Sequence, residues 1–221
     1  MGILKCRFQH WAFSKGIFSL AFLPARVLGY KDGVKWRWFI LLLLLALICG
    51  IGGYWRYYEW RDHSQDGPIL AAARRYGVEP ALVKAVVWRE SRFNPEARGS
   101  RGEIGLMQVI PNAAARDWAD AERLPSVVAE QLLDPGTNTL AGAWYLARLC
   151  KRYGQTDNPL PYVLADYNAG RGNVLKWKQG PATTNSAAFM RQINFPGTKS
   201  YVQSVMRRYA HYQPIFPPKE K

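Results

Sequence analysis

Residues 38–55, WFILLLLLALICGIGGYW, run for eighteen positions without a charged side chain. That length lies near the lower limit for crossing a hydrocarbon core of ~30 Å. Trp36, Trp38, Tyr54 and Trp55 bracket the stretch, where interfacial aromatics sit. Before Trp38 come Lys5, Arg7, Lys15, Arg26, Lys31, Lys35 and Arg37, opposed by Asp32 alone; after Trp55, Arg56 and Arg61 mix with Glu59 and Asp62. The positive-inside rule therefore predicts a basic cytoplasmic segment at 1–37, a transmembrane helix at 38–55 and a chain that is external from there on. A cleaved signal peptide fits less well, because the basic region is too long and no small-residue cleavage site follows cleanly. A lipid anchor on Cys49 also fits less well, because Ile48 before it is bulky for such a site.

After a linker at 56–66, residues 67–221 read as one domain of helices. Pro68 to Tyr76 is closed by Gly77, and Pro80 opens a helix to about Glu90. Pro111 and Asn112 start a third element, and Val127 to Leu133 a fourth. Residues 135–153 form the longest periodic stretch, ending at Gly154. Pro161 to Ala169, Gly172 to Trp177 and Lys199 to Tyr212 complete an all-α set. No alternating run argues for a sheet.

The net charge of +14 narrows the partners. From Ser64 onward, 21 basic side chains face 13 acidic ones, which favours an anionic polymer or surface. The basic residues are scattered rather than gathered, so nucleic acid is not expected. Of Cys6, Cys49 and Cys150 only the last lies after the apolar stretch, which rules out a disulfide within the domain. His10, His63 and His211 lack metal-ligand spacing, so neither a metal nor another cofactor is expected.

On PALVKAVVWRES, Val83, Val86, Val87 and Glu90 fall at spacings of three and four and share one face. A carboxylate in register with an apolar stripe is either a solvated helix end or an acid set in a cleft. In a cleft its pKa rises, and it can act as a general acid near neutral pH. Periodicity alone leaves both readings open.

Further segments follow in order: ESRFNPEA, GEIGLMQVIP, DPGTNTLAGAWYL, ADYNAGRGNV and TKSYV. Together they resemble the lytic transglycosylases of the soluble-lytic-transglycosylase type, a family with the lysozyme-like fold. The resemblance covers about Gly67 to Tyr212. It implies a bacterial inner-membrane protein with its catalytic domain in the periplasm, acting on peptidoglycan glycan strands. Glu90 matches the single catalytic acid/base. Ser91, Gly105, Leu106, Met107, Gln108, Tyr167 and Asn168 match the segments around the substrate, with Gln108 reaching the sugar's N-acetyl or hydroxyl groups. Tyr201 is the aromatic expected nearest the sugar, while Trp88, Trp118, Trp144, Tyr145 and Trp177 are expected in the core. Asp134, Pro135 and Asn138 match a structural segment.

The implied chemistry needs one carboxylate, unlike the usual glycosidase pair. Glu90 protonates the oxygen between MurNAc and GlcNAc while the substrate's own N-acetyl group stabilises the developing cation. It then deprotonates the C6 hydroxyl, closing a 1,6-anhydro ring. Three departures stand out. Glu103 replaces a small residue, Asp166 replaces Ala before Y-N-A-G, and Gly197 replaces a glutamate in the segment that here reads GTKSYV. Glu103 and Asp166 are each expected either to ion-pair with Arg101 or Arg171 or to serve as a second catalytic group in a lysozyme-type hydrolase. A non-catalytic glycan-binding module, or an enzyme working with a cell-envelope partner protein, are the other readings.

Overall fold

The computed structural model describes residues 33–217; most of the basic N-terminal segment, residues 1–32, lies outside the described residues, as do 218–221. The chain divides into two compact units, Met1–Gly52 and Gly53–Lys221. In the first, the described residues are helical, within α1 (Gly33–His63). The most apolar window has a mean hydropathy of 2.2, and the helix is long and apolar enough to cross a membrane. Its leucines, Leu41 to Leu45 among them, are all exposed, which is costly in water and favourable in lipid.

The second unit is helical, and among the described residues there is no strand, only the isolated bridges Arg98↔Ile104 and Ile104↔Val109. The residues read as a linker, 56–66, are helical as far as His63. They are also tied to the domain. Asp62 accepts from the Tyr212 hydroxyl, and Arg61 Nε donates to the Arg92 carbonyl at 2.7 Å.

Sequence punctuation sets most helix ends. In α2 (Asp66–Tyr76) the chain stops at Gly77, whose φ of 62° suits glycine and whose N–H returns to Ala73 O. Pro80 opens α3 (Pro80–Ser91). A π turn at Pro111–Ala115 leads into α4 (Arg116–Glu122), and a 3₁₀ turn at Ala129–Leu133 precedes α5 (Pro135–Tyr153). Asp134 caps α5 by accepting from Thr137 N at 2.7 Å. Then come α6 (Leu160–Ala169), α7 (Arg171–Trp177), α8 (Ser186–Gln192) and α9 (Pro196–Tyr212). Helix α8 and the 3₁₀ turn before it, Gly180–Thr183, had no strong sequence signal. Asn185 starts α8 by accepting from Ala188 N at 2.8 Å.

The core lies where α2 packs on α5, α3 on α9, and α6 between α5 and α9. Val83, Val86 and Val87 are each fully buried, which contributes about 1.5–3 kcal/mol per side chain. Helix α3 is more than amphipathic, because every residue from Ala81 to Val87 is buried, Lys84 included. The Lys84 ammonium reaches Asp66 at 2.7 Å and Asp62 at 3.6 Å, and lies over the rings of Phe216 and Tyr212. These partners allow a charge on what the sequence pattern makes the polar face to sit inside.

Candidate active site

Glu90 ends α3, one residue before the helix terminus, and the next residues turn sharply, with Arg92 at φ 53° and Phe93 at φ 61°. The turn takes the chain away, so the last side chain on the buried face points into a cavity of about 640 Å³. The loop at 99–109 forms one wall, and α5, α6, the Pro111–Ala115 turn and the start of α4 contribute to the rest.

Asn138, Gly142 and Tyr145 share the face of α5 that holds this loop. Asn138, fully buried, receives Met107 N at 2.8 Å and donates to the carbonyls of Ile104 and Leu132, both at 2.8 Å. Gly105, at φ 77°, packs so closely that a Cβ would collide with the Asn138 side chain and the Leu132 carbonyl. A Cβ on Gly142 would strike Met107 in the same way. The structural role expected for Asp134 and Asn138 is thus visible as a cap and a loop clamp.

Glu90, Gln108, Tyr167 and Asn168 come together on the cavity lining. Ser91, Gly105, Leu106, Met107 and Tyr201, expected at the substrate, sit behind it instead. Leu106 and Met107 are fully buried, being core anchors of the loop, and Ser91 Oγ donates back to Val87 O at 3.2 Å. Gln108 lines the cavity at φ 48°, but its amide nitrogen is committed to the carbonyls of Ala97 at 3.1 Å and Gly105 at 2.9 Å. Only its oxygen is left for a ligand. Tyr167 donates its hydroxyl to Met107 O at 2.9 Å, and Asn168 accepts from Thr198 Oγ1 at 2.9 Å.

Tyr201 touches the acid itself. The residue is 1% exposed, and its hydroxyl donates to Glu90 Oε1 at 2.6 Å. Burial pushes the Glu90 pKa up; the Tyr201 hydrogen bond and the Arg89 charge pull it back, Glu103 adds to the rise, and it settles at about 7. Burial and the nearby Glu90 charge hold Tyr167 and Tyr201 well above the usual tyrosine range, so both remain donors.

Glu103 lines the same cavity in a different state. Burial alone would raise its pKa, but its own backbone N–H and that of Arg101, together with the Arg101 guanidinium, hold it below the usual carboxylate range. Its Oε1 pairs with Arg101 Nε at 2.7 Å, and its Oε2 takes Arg101 N at 2.8 Å. Asp166 is fully buried, and its partner is neither Arg101 nor Arg171. Arg152, the last residue but one of α5, reaches it at 2.9 Å, and Tyr153 at 2.6 Å.

Tyr145, expected in the core, lines the cavity with its ring 5.6 Å from that of Tyr167. The signal was its spacing from Asn138 and Gly142 on α5. Trp118 and Trp177 are buried as expected, and Trp88 lies between the guanidiniums of Arg92 and Arg208. Among the described residues no cluster of His, Cys, Asp and Glu is arranged to hold a metal ion.

Comparison with known proteins fits this geometry. Residues 67–190 match the family model described as the transglycosylase SLT domain. The chain is 31% identical over 173 residues to a membrane-bound lytic murein transglycosylase C of Klebsiella pneumoniae, covering 75% of this chain and 45% of the relative. It thus spans less than half of that relative's length. Among solved structures, an inactive glutamate-to-glutamine mutant of the lytic transglycosylase Slt from Pseudomonas aeruginosa superposes with a TM-score of 0.61 at 26% identity, over 69% of this chain and 24% of the other. A complex of a 70-kDa soluble lytic transglycosylase with bulgecin A gives 0.62 at 28% identity, over 76% and 27%.

Proposed function

The chain belongs to the transglycosylase SLT-domain family, and from that premise we propose that it is a peptidoglycan lytic transglycosylase with Glu90 as its catalytic residue. The observation that carries this reading is the Glu90 carboxyl, held at the cavity wall by Tyr201 with a pKa of about 7. Such a group is an acid and a base of comparable strength near neutral pH, which a one-carboxylate mechanism requires.

Protonated Glu90 gives its proton to the glycosidic oxygen, and the bond from MurNAc C1 to that oxygen breaks. The substrate's own acetamido group stabilises C1. The C6 oxygen then bonds to C1 as its proton passes to Glu90, leaving the acid as it began and the product as a 1,6-anhydro sugar. Tyr201 orients the carboxyl throughout. The glutamate-to-glutamine change in the inactive Pseudomonas structure supports an essential glutamate in the family. The apolar helix and the membrane-bound relative support attachment to the bacterial inner membrane through residues 38–55, with the domain in the periplasm.

Digestion of isolated sacculi followed by mass spectrometry of the products tests the proposal. Wild-type protein should release 1,6-anhydro-muropeptides, and Glu90→Gln should cut the rate at least about a thousandfold. Turnover by Glu90→Gln within tenfold of wild type would remove Glu90 from the chemistry. Reducing MurNAc ends as the main product would point to lysozyme-type hydrolysis, with the ionised Glu103 as second carboxylate.

A further inference from the structure

Asp166 stands in ADYNAGRGNV, one residue before Tyr167 of the cavity lining. It is fully buried on α6 and forms part of the cavity wall. Its Oδ2 takes both the Arg152 guanidinium and the Tyr153 hydroxyl. Its Oδ1 is closed off from solvent and accepts no hydrogen bond.

Folded proteins leave few buried polar atoms in that state. Charge is not what this group lacks, since Arg152 balances it; the missing element is one donor. A carboxylate retained only for structure is better served with both oxygens engaged, as Arg101 engages both oxygens of Glu103 in the same cavity. The nearby Tyr145 phenol feels the Asp166 charge and presents a ring to the cavity. An aromatic face beside a hydrogen-bond acceptor is suited to a sugar ring bearing hydroxyl and amide donors.

Resting on the glycan-cleaving reading above, we infer that Asp166 is a specificity-determining residue whose Oδ1 accepts a hydrogen bond from a hydroxyl or acetamido N–H of a bound N-acetylated sugar. The donor is neutral in class, because the Asp166–Arg152 pair already carries no net charge. It reaches Oδ1 as the half-buried Tyr145 ring yields, a side-chain adjustment of the kind common on binding. Glu90 performs the reaction, and Asp166 helps to choose and hold the sugar.

The test is calorimetric binding of a GlcNAc–MurNAc tetrasaccharide to the full-length Glu90→Gln protein in detergent. Adding Asp166→Ala should weaken binding about tenfold; because it also leaves Arg152 and Tyr153 without their acceptor, thermal unfolding checks that the protein stays folded at the assay temperature. Adding Tyr153→Phe, which removes a bond to Oδ2 alone, should lower the Tm and leave affinity within about twofold. In the active enzyme, Asp166→Ala should raise KM with little change in kcat. Undiminished affinity in the Asp166→Ala protein, an equal loss in the Tyr153→Phe protein, or a fall in kcat at constant KM overturns the inference. Failure of the Glu90→Gln parent to bind any glycan overturns instead the reading on which it rests.

Discussion

Glu90 and Glu103 are the same residue type facing the same cavity, and their surroundings drive them apart. Glu90 lies near the end of a helix buried from Ala81 to Val87, and its charge is compensated only by one phenol and by arginines at longer range. Glu103 lies on a loop that curls back so that a backbone N–H and a guanidinium reach its two oxygens. The first has its pKa raised to about 7, and the second has its pKa lowered. A carboxyl's role in a cleft therefore follows from what meets its oxygens. That difference gives one group a proton to donate near neutral pH and fixes the other as an anion.

The largest effect that would sharpen this contrast is on stability. Glu90 has a folded pKa above its ordinary 4.5, so the folded state binds the proton more tightly than the unfolded chain. Its ionisation therefore destabilises the fold increasingly as pH rises from about 4.5 through 7. Glu90→Gln stays neutral, so it should match wild type near pH 4 and exceed it by on the order of 3 kcal/mol at pH 8. Thermal unfolding of both proteins across that range measures the gap, and a gap independent of pH would show that Glu90 is not an acid strained by burial.

A smaller effect is expected at the phenol. The Tyr201 hydroxyl favours the ionised form of Glu90, so Tyr201→Phe should move the alkaline limb of the kcat/KM profile up by about one pH unit. A limb that stays in place would mean that the Tyr201 contact does not govern the acid. The smallest is expected at Glu103, whose charge raises the Glu90 pKa. Glu103→Gln removes that charge and frees Arg101, so the same limb should move down by a few tenths of a unit. Products should remain anhydro sugars; a switch in product, or a loss beyond about a hundredfold, would make Glu103 a partner in the reaction rather than a fixed anion.

Much of the scaffold was legible because its signals are local. Gly77, Pro80, Asp134 and Pro135 end or begin helices through φ preference, a missing N–H or a cap three residues away. The spacing of Val83, Val86 and Val87 aligned Glu90 with the core without revealing whether water reached it. The missed features share a cause. Tyr145 looked like core because helix spacing does not say which neighbour a face meets. Gln108 looked like a sugar ligand because the sequence does not show that a left-handed turn aims its amide at two carbonyls. Asp166 found Arg152 on α5 rather than a nearer arginine, because α5 and α6 pack side by side.

The sequence by itself determined where several helices start and stop, that residues 38–55 suit a bilayer, and which carboxylate stands at the end of a core helix. Those properties depend on residues within a turn or two of one another. The tertiary structure decided that this carboxylate is shielded, held by Tyr201 and titrates near neutrality. Those properties depend on a phenol 111 positions away and on how much water the packed walls exclude, and burial of a charge is a quantity that only three-dimensional neighbours can set.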